Sequence, residues 1–175
     1  KTLKKDLSFI ALTATATPEV VIDIEKQLSF KESNKIQRSF IRNNINYSVI
    51  NGISKEKILI KLLTNQCSII YVRNRKKTKE LSKLLNSNNY KTDYYHGGLD
   101  FKERSKKQNR WINNEFDTII ATNAFGMGID KPDVKSVIHY DLPDTLEPFY
   151  QESGRAGRDG KAAYSIILKD DQDIG

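Results

Sequence analysis

The chain has 175 residues, with 29 Lys or Arg against 22 Asp or Glu and a formal charge of +7. That length allows one full hydrophobic core and a little more, and the basic excess suits a polyanionic partner without specifying a fold. The single cysteine, Cys67, excludes an internal disulfide framework and a four-thiolate zinc site, and no apolar stretch approaches the roughly 20 residues that cross a bilayer.

No signal peptide is recognisable at the amino terminus. A chain that opens at Lys1 and has Met127 as its sole methionine is expected to be a piece of a longer protein. Leu7 to Leu12 fits a short buried strand, and Thr17 with Pro18 opens a helix running to about Leu28, with Val20, Val21, Ile24 and Leu28 on its inner face. These two elements cannot form a core alone, so residues 1–48 read as the tail of a preceding domain and a connector. Ile36 to Val49 reads as two short strands crossing from one domain to the next around Arg42-Asn43-Asn44.

Residues 49–175 then follow a regular rhythm. Ser54 caps a helix to about Leu63, Cys67 to Val72 is an apolar strand, and Arg75 to Asn88 is a helix with Leu81, Leu84 and Leu85 inward. Thr92 to Tyr95 is a strand, and about Asp100 to Asn113 a helix. Asp117 to Thr122 and Ser136 to Tyr140 are strands joined by a glycine-rich loop. A helix carrying Gln151, Arg155 and Arg158 and a last strand, Ala162 to Leu168, complete the series. Strands separated by helices in this way imply an α/β fold with an open, mostly parallel sheet in three layers, helices covering both faces. Ligands of such sheets sit beyond the carboxyl ends of the strands. Those ends carry Arg73 and Asn74, His96 and Gly97, Thr122 and Asn123, and Asp141.

The stretch Tyr150 to Gly160 reads Y-Q-E-S-G-R-A-G-R-D-G. On a helix, Gln151, Arg155 and Arg158 share one stripe, while Gly154 and Gly157 form another. Mid-helix glycines cost about 1 kcal/mol each against alanine, so their use is close approach by a backbone or ligand. A guanidinium fork matches phosphate oxygens bidentately, and the competing reading is a surface helix with solvated arginines. In the loop Ala121 to Asp133, Gly126 and Gly128 permit close approach, Thr122 can hold a phosphate, and Asp130 can accept from an arginine or a ribose hydroxyl; a plain connector is the alternative. The lysines between Arg73 and Lys83 suit a solvated helix face, whereas Arg73, Asn74 and Arg75 lie at a strand end and helix start that favour phosphate. His96 is either structural or a ligand contact. No G-x-x-x-x-G-K-[ST] loop occurs in the chain, nor an Asp-Glu pair after a strand to hold magnesium.

Six stretches in order resemble the RecQ family of ATP-dependent DNA helicases, within helicase superfamily two. They are A-L-T-A-T-A-T-P from Ala11, I-I-Y-V-R-N-R-K from Ile69, Y-H-G-G-L from Tyr95, A-T-N-A-F-G-M-G-I-D-K-P-D-V from Ala121, V-I-H-Y-D-L-P from Val137, and the arginine stretch from Tyr150. The resemblance implies a motor of two RecA-like domains in a 3′-to-5′ DNA helicase serving DNA repair and recombination. This chain would supply the end of the first domain and the complete second. Arg158 would be the arginine finger and Arg155 its companion, with Gln151 linking nucleotide state to the domain interface. Gly128 and Asp130 would lie beside the nucleotide. Arg73, Asn74, Arg75, His96, Gly97, Thr122 and Asn123 would face single-stranded DNA. ATP and Mg2+ would be bound mainly by the first domain, so the chain alone would be inactive. Expected partners are DNA, that first domain, and zinc-binding and winged-helix regions, with no membrane; the setting would be the cytoplasm and nucleoid of a bacterium or the nucleus of a eukaryote. The junction Arg42-Asn43-Asn44 departs from the family's usual Arg-Pro-Asn. A nucleic-acid-binding module without ATP turnover and an RNA helicase domain are the competing functions.

Overall fold

The computed structural model describes residues 10–13, 16–30, 32, 34–37, 42–126 and 128–173. The chain divides into two compact units, Lys1–Ile41 and Arg42–Gly175.

In the first unit, α1 (Pro18–Gln27) starts where expected: Pro18 occupies the first turn, and the Thr17 hydroxyl accepts from Val20 N. None of its residues is buried. Val21, Ile24 and Phe30 line a cleft of about 450 Å³ with Leu12 and Ile36. The strand expected from Leu7 to Leu12 lies mostly outside the described residues, and Ile10 to Leu12 are not in a strand.

The second unit is built on a six-stranded sheet ordered β1-β6-β5-β2-β4-β3. Its strands are β1 (Ile45–Asn51), β2 (Ser68–Tyr71), β3 (Thr92–Tyr95), β4 (Thr118–Ala121), β5 (Ser136–His139) and β6 (Ala163–Lys169). Every pairing is parallel. The central strands are apolar in their middle residues, Ile69-Ile70, Ile119-Ile120 and Val137-Ile138, because both faces are covered. On one face, Leu59 and Leu63 of α2 (Lys55–Leu62) and its end, and Leu81 and Leu85 of α3 (Arg75–Ser87), pack on Ile70, Ile120 and Ile138. On the other, Trp111 of α4 (Phe101–Ile112), Phe116 and Phe125 pack on Ile69, Tyr71, Ile119 and Val137. Trp111 is fully buried; truncating such a side chain to alanine costs roughly 3–5 kcal/mol. Ser54, Asn74 and Asp100 each cap the helix that follows them.

Two expectations change. The strand expected before residue 49 is Ile45 to Asn51, but it pairs with β6 from Ile45↔Ala163 to Asn51↔Lys169, so the compact unit starts at Arg42 and not near residue 49. As an edge strand covered on one side, β1 shows neither the apolar run of a buried strand nor a clean alternation. The second change concerns the arginines. α5 spans Leu146–Ser153, so Gly154 ends the helix, and Arg155 and Arg158 lie in the turns beyond it. Gly157 has φ +59, a left-handed conformation that stops a helix.

Candidate functional site

Parallel pairing brings four strand ends level. Tyr71 is in register with both Ala121 and His139, and Ala121 with Tyr95. The residues that follow therefore form one edge. There Arg73 N donates to Asp141 Oδ2 (2.8 Å), and its guanidinium pairs with Asp144 (2.7 Å). These side chains are 59% and 79% exposed, so the pair is weak and readily exchanged. The Asn74 side chain accepts from Lys76 N (2.7 Å) and fixes the start of α3. Arg75 lies across Gly98, where a Cβ would stand 2.9 Å from its Nη1. The His96 ring is buried against Tyr94, with centroids 5.8 Å apart, and its Nδ1 has no partner among the described residues. Burial, then the charges of Lys79 and Arg75, lower its pKa and favour the neutral ring. Gly97 is exposed in the turn after it. Thr122 is buried, donating from its N to Tyr95 O (3.2 Å) and accepting at its carbonyl from Phe125 N (3.0 Å). Asn123 is exposed and borders a cleft of about 210 Å³ with Arg73, Asp141 and Pro143.

Two side chains of that cleft were not singled out from sequence. His139 and Glu152 form a buried pair, Nε2 to Oε2 at 3.0 Å, that ties the end of β5 to α5. A lone histidine in a strand and a glutamate in a helix carry no local sign of such pairing.

The second constellation is a clasp between the loop after β4 and the segment after α5. Arg155 Nη1 donates to Gly126 O. A Cβ on Gly126 would lie 2.1 Å from Arg155 Cζ, and its φ is +128, so only glycine fits. Arg155 Nε is buried and has no partner among the described residues. The Tyr71 hydroxyl donates to Phe125 O (3.1 Å), and burial raises its pKa. Arg158 Nη1 donates to Ile129 O (3.1 Å) and to Asp130 Oδ1 (2.7 Å). The Arg158 and Asp130 side chains are 33% and 83% exposed, so water and salt weaken their attraction. Gly128 is exposed, and nothing lies within 4 Å of a Cβ built there. The close approach expected at both glycines thus occurs at Gly126 alone, and Arg155 itself makes it. Gln151 is exposed on α5, and the clasp bonds described do not include it.

The far end of the clasp is fixed near the amino end of β5: Gly157 N donates to Val134 O (2.8 Å) and Asp159 N to Pro132 O (3.0 Å). Lys131 secures the loop. Its buried ammonium donates to Asn114 Oδ1 (2.7 Å), pairs with Asp133 (3.0 Å), and stands 5.4 Å from the Trp111 ring. A buried cation is tolerated only when paired in this way.

Residues 54–160 match the family model described as the helicase conserved C-terminal domain. The ATP-dependent DNA helicase RecQ of Bacillus subtilis (strain 168) is 40% identical over 168 residues, covering 94% of this chain and 28% of that protein. The RecQ-like DNA helicase blm-1 of Caenorhabditis elegans is 44% identical over 167 residues, covering 91% and 17%. The chain therefore spans less than a third of the length of either relative. Among solved structures, S. cerevisiae Dbp5 bound to RNA and ADP BeF3 superposes with a TM-score of 0.82 at 24% identity, covering 98% of this chain and 47% of that one, a likeness of fold. The parallel sheet and the family match agree: the chain belongs to the helicase conserved C-terminal domain family, and over more than nine tenths of its length it is similar to helicases of RecQ type.

Proposed function

We propose that the chain acts as the second motor domain of a 3′-to-5′ DNA helicase, supplying Arg158 as arginine finger and Arg155 beside it to ATP held mainly by a first RecA-like domain. The observation that carries this reading is the way the arginines are kept. Arg158 rests on an exposed carboxylate and two backbone carbonyls, contacts easily given up for a phosphate, while Arg155 Nε has no partner among the described residues. Arg155 and Arg158 would hold the nucleotide's terminal phosphates, with Asp130 and Gly128 beside them, and the nucleotide supplies the phosphoryl group that is transferred. Magnesium fits less well. Among the described residues, no group of three or more His, Cys, Asp or Glu is placed for a metal ion.

Arg158 leaves Asp130, spreads its positive charge over the phosphoryl oxygens in transfer, and returns afterwards. Such a finger accelerates turnover by a factor on the order of 10³ to 10⁵. Gln151, exposed on α5, would report nucleotide state at the domain interface. Arg73, Asn74, Arg75, Gly97 and Asn123, exposed at the strand-end edge, hold the DNA backbone, with the buried His96 and Thr122 supporting that edge from beneath. Closing and opening of the cleft then moves the motor along the strand. Contact with about three phosphates gives a salt slope near −2 for single-stranded DNA.

Assaying ATP turnover by the purified chain tests the division of labour: no DNA-stimulated turnover is expected. Appreciable turnover would contradict it, and stimulation of the full helicase by RNA alone would favour an RNA substrate.

A further inference from the structure

The turn that carries Arg158 is closed from within by Gly160 N donating to Gly157 O (3.0 Å) and Lys161 N to Asp159 Oδ1 (3.0 Å). Besides its bonds to Val134 and Pro132, it is supported by a part of the chain remote in sequence. Asn44 Nδ2 donates to Gly157 O (2.7 Å) and to Lys161 O (2.9 Å), and Arg42 Nη2 donates to the same Gly157 carbonyl (2.8 Å). Asn44 O in turn accepts from Ala163 N (2.9 Å), where β6 begins. One side-chain amide thus bridges both ends of the turn in which Arg158 stands. A Cβ at Gly157 would lie 2.5 Å from that amide nitrogen, so glycine at 157 and asparagine at 44 fit each other.

We propose that Asn44, assisted by Arg42, is a positioning residue for Arg158, an inference that rests on the finger role given above. The chemistry points to asparagine in particular. Its amide presents N–H donors to both carbonyls, aspartate presents acceptors only, and alanine presents neither. The turn also lies beyond the end of α5, so no helical ladder fixes the direction in which Arg158 leaves the backbone. Arg42 is the first residue of this unit, so a displacement of the chain where it enters the unit acts on the Gly157 carbonyl next to Arg158. The Arg-Asn-Asn sequence at the junction thereby acquires a function that its distance from the arginine segment conceals.

The test is a double-mutant cycle in the full helicase. Asn44→Ala and Asn44→Asp are each measured alone and with Arg158→Ala, by single-turnover ATP hydrolysis and single-stranded DNA binding. A misplacement near 1 Å at a reacting centre costs on the order of 10² in rate, so each single variant should lose about 10²-fold in kcat. The KM for ATP and the DNA affinity should stay within about twofold, the pattern of an interaction used in the transition state. With Arg158 already alanine, the Asn44 substitutions should change nothing further, because their effect passes through that side chain. Unchanged kcat in the single variants, the same fold-loss in both backgrounds, or a KM that rises in step with the lost rate would each overturn the proposal. If the Asn44 variants do not fold, Arg42→Leu removes one hydrogen bond and should lower kcat about fivefold, again only when Arg158 is present. A wild-type rate in Arg158→Ala alone would remove the finger role beneath this inference, and the inference with it.

Discussion

The strand-end edge and the arginine clasp hold their basic side chains by opposite means. At the edge, Arg73 and Arg75 project from exposed positions, their anchors being backbone bonds and a capped helix start. In the clasp, Arg155 lies against Gly126 with no space for a methyl group, and Arg158 is held through a turn fixed at Val134, Pro132 and Asn44. Exposed cations at an edge act additively and are screened by salt, which suits a grip that must slide. A backbone turn held in one geometry fixes where the arginine side chains start, which suits a transition state.

The sharpest break between the two regions is Arg158→Ala in the full helicase. Turnover should fall by at least roughly 10³-fold while ATP binding persists, measured by steady-state hydrolysis and nucleotide binding. Next comes Gly126→Ala. The added methyl meets Arg155 and the backbone is left at φ +128, a conformation that L side chains rarely adopt. Strain on the order of 1–3 kcal/mol should appear as a lower unfolding free energy, with turnover down about 10²-fold as Arg155 is displaced.

A smaller effect is expected at the edge. Arg75→Ala should make the salt dependence of single-stranded DNA binding shallower by about 0.7, read from titrations at several salt concentrations. The smallest concerns Glu56, near the same edge. The Tyr140 hydroxyl donates to it at 2.5 Å, and this bond, with help from Lys77, lowers its pKa from 4.5 to about 2. A carboxylate lowered in the folded state stabilises above its unfolded pKa and loses that contribution as pH falls through the folded value. Tyr140→Phe should therefore cost under about 1 kcal/mol at neutral pH, the group being partly exposed. In denaturant unfolding, the difference from wild type should shrink between pH 4.5 and about 2.

Much of the sheet is legible in the sequence because Cys67 to Val72 is a largely apolar run and Ile119 to Ala121 an apolar centre between turn signals, as doubly covered strands favour. The residues at their ends follow from topology alone. Less legible are features that depend on distant partners. Gln151, Arg155 and Arg158 match a helical stripe, yet Gly154 and Gly157 among them are the local sign that the helix stops, and the structure ends it at Ser153. Asn44 and Gly157 are separated by 113 positions, and nothing in either neighbourhood announces the contact. The Lys131 anchor is hidden in the same way: a lysine in a loop reads as solvated until Asn114, Asp133 and Trp111 gather around it.

The division of labour between edge and clasp is tested most directly by measuring Arg158→Ala and Arg75→Ala in the full helicase in the same two assays, ATP turnover at saturating DNA and single-stranded DNA affinity. The account predicts that the first variant loses turnover and keeps affinity, and that the second loses affinity and keeps turnover. Equal losses of both properties in both variants would contradict it.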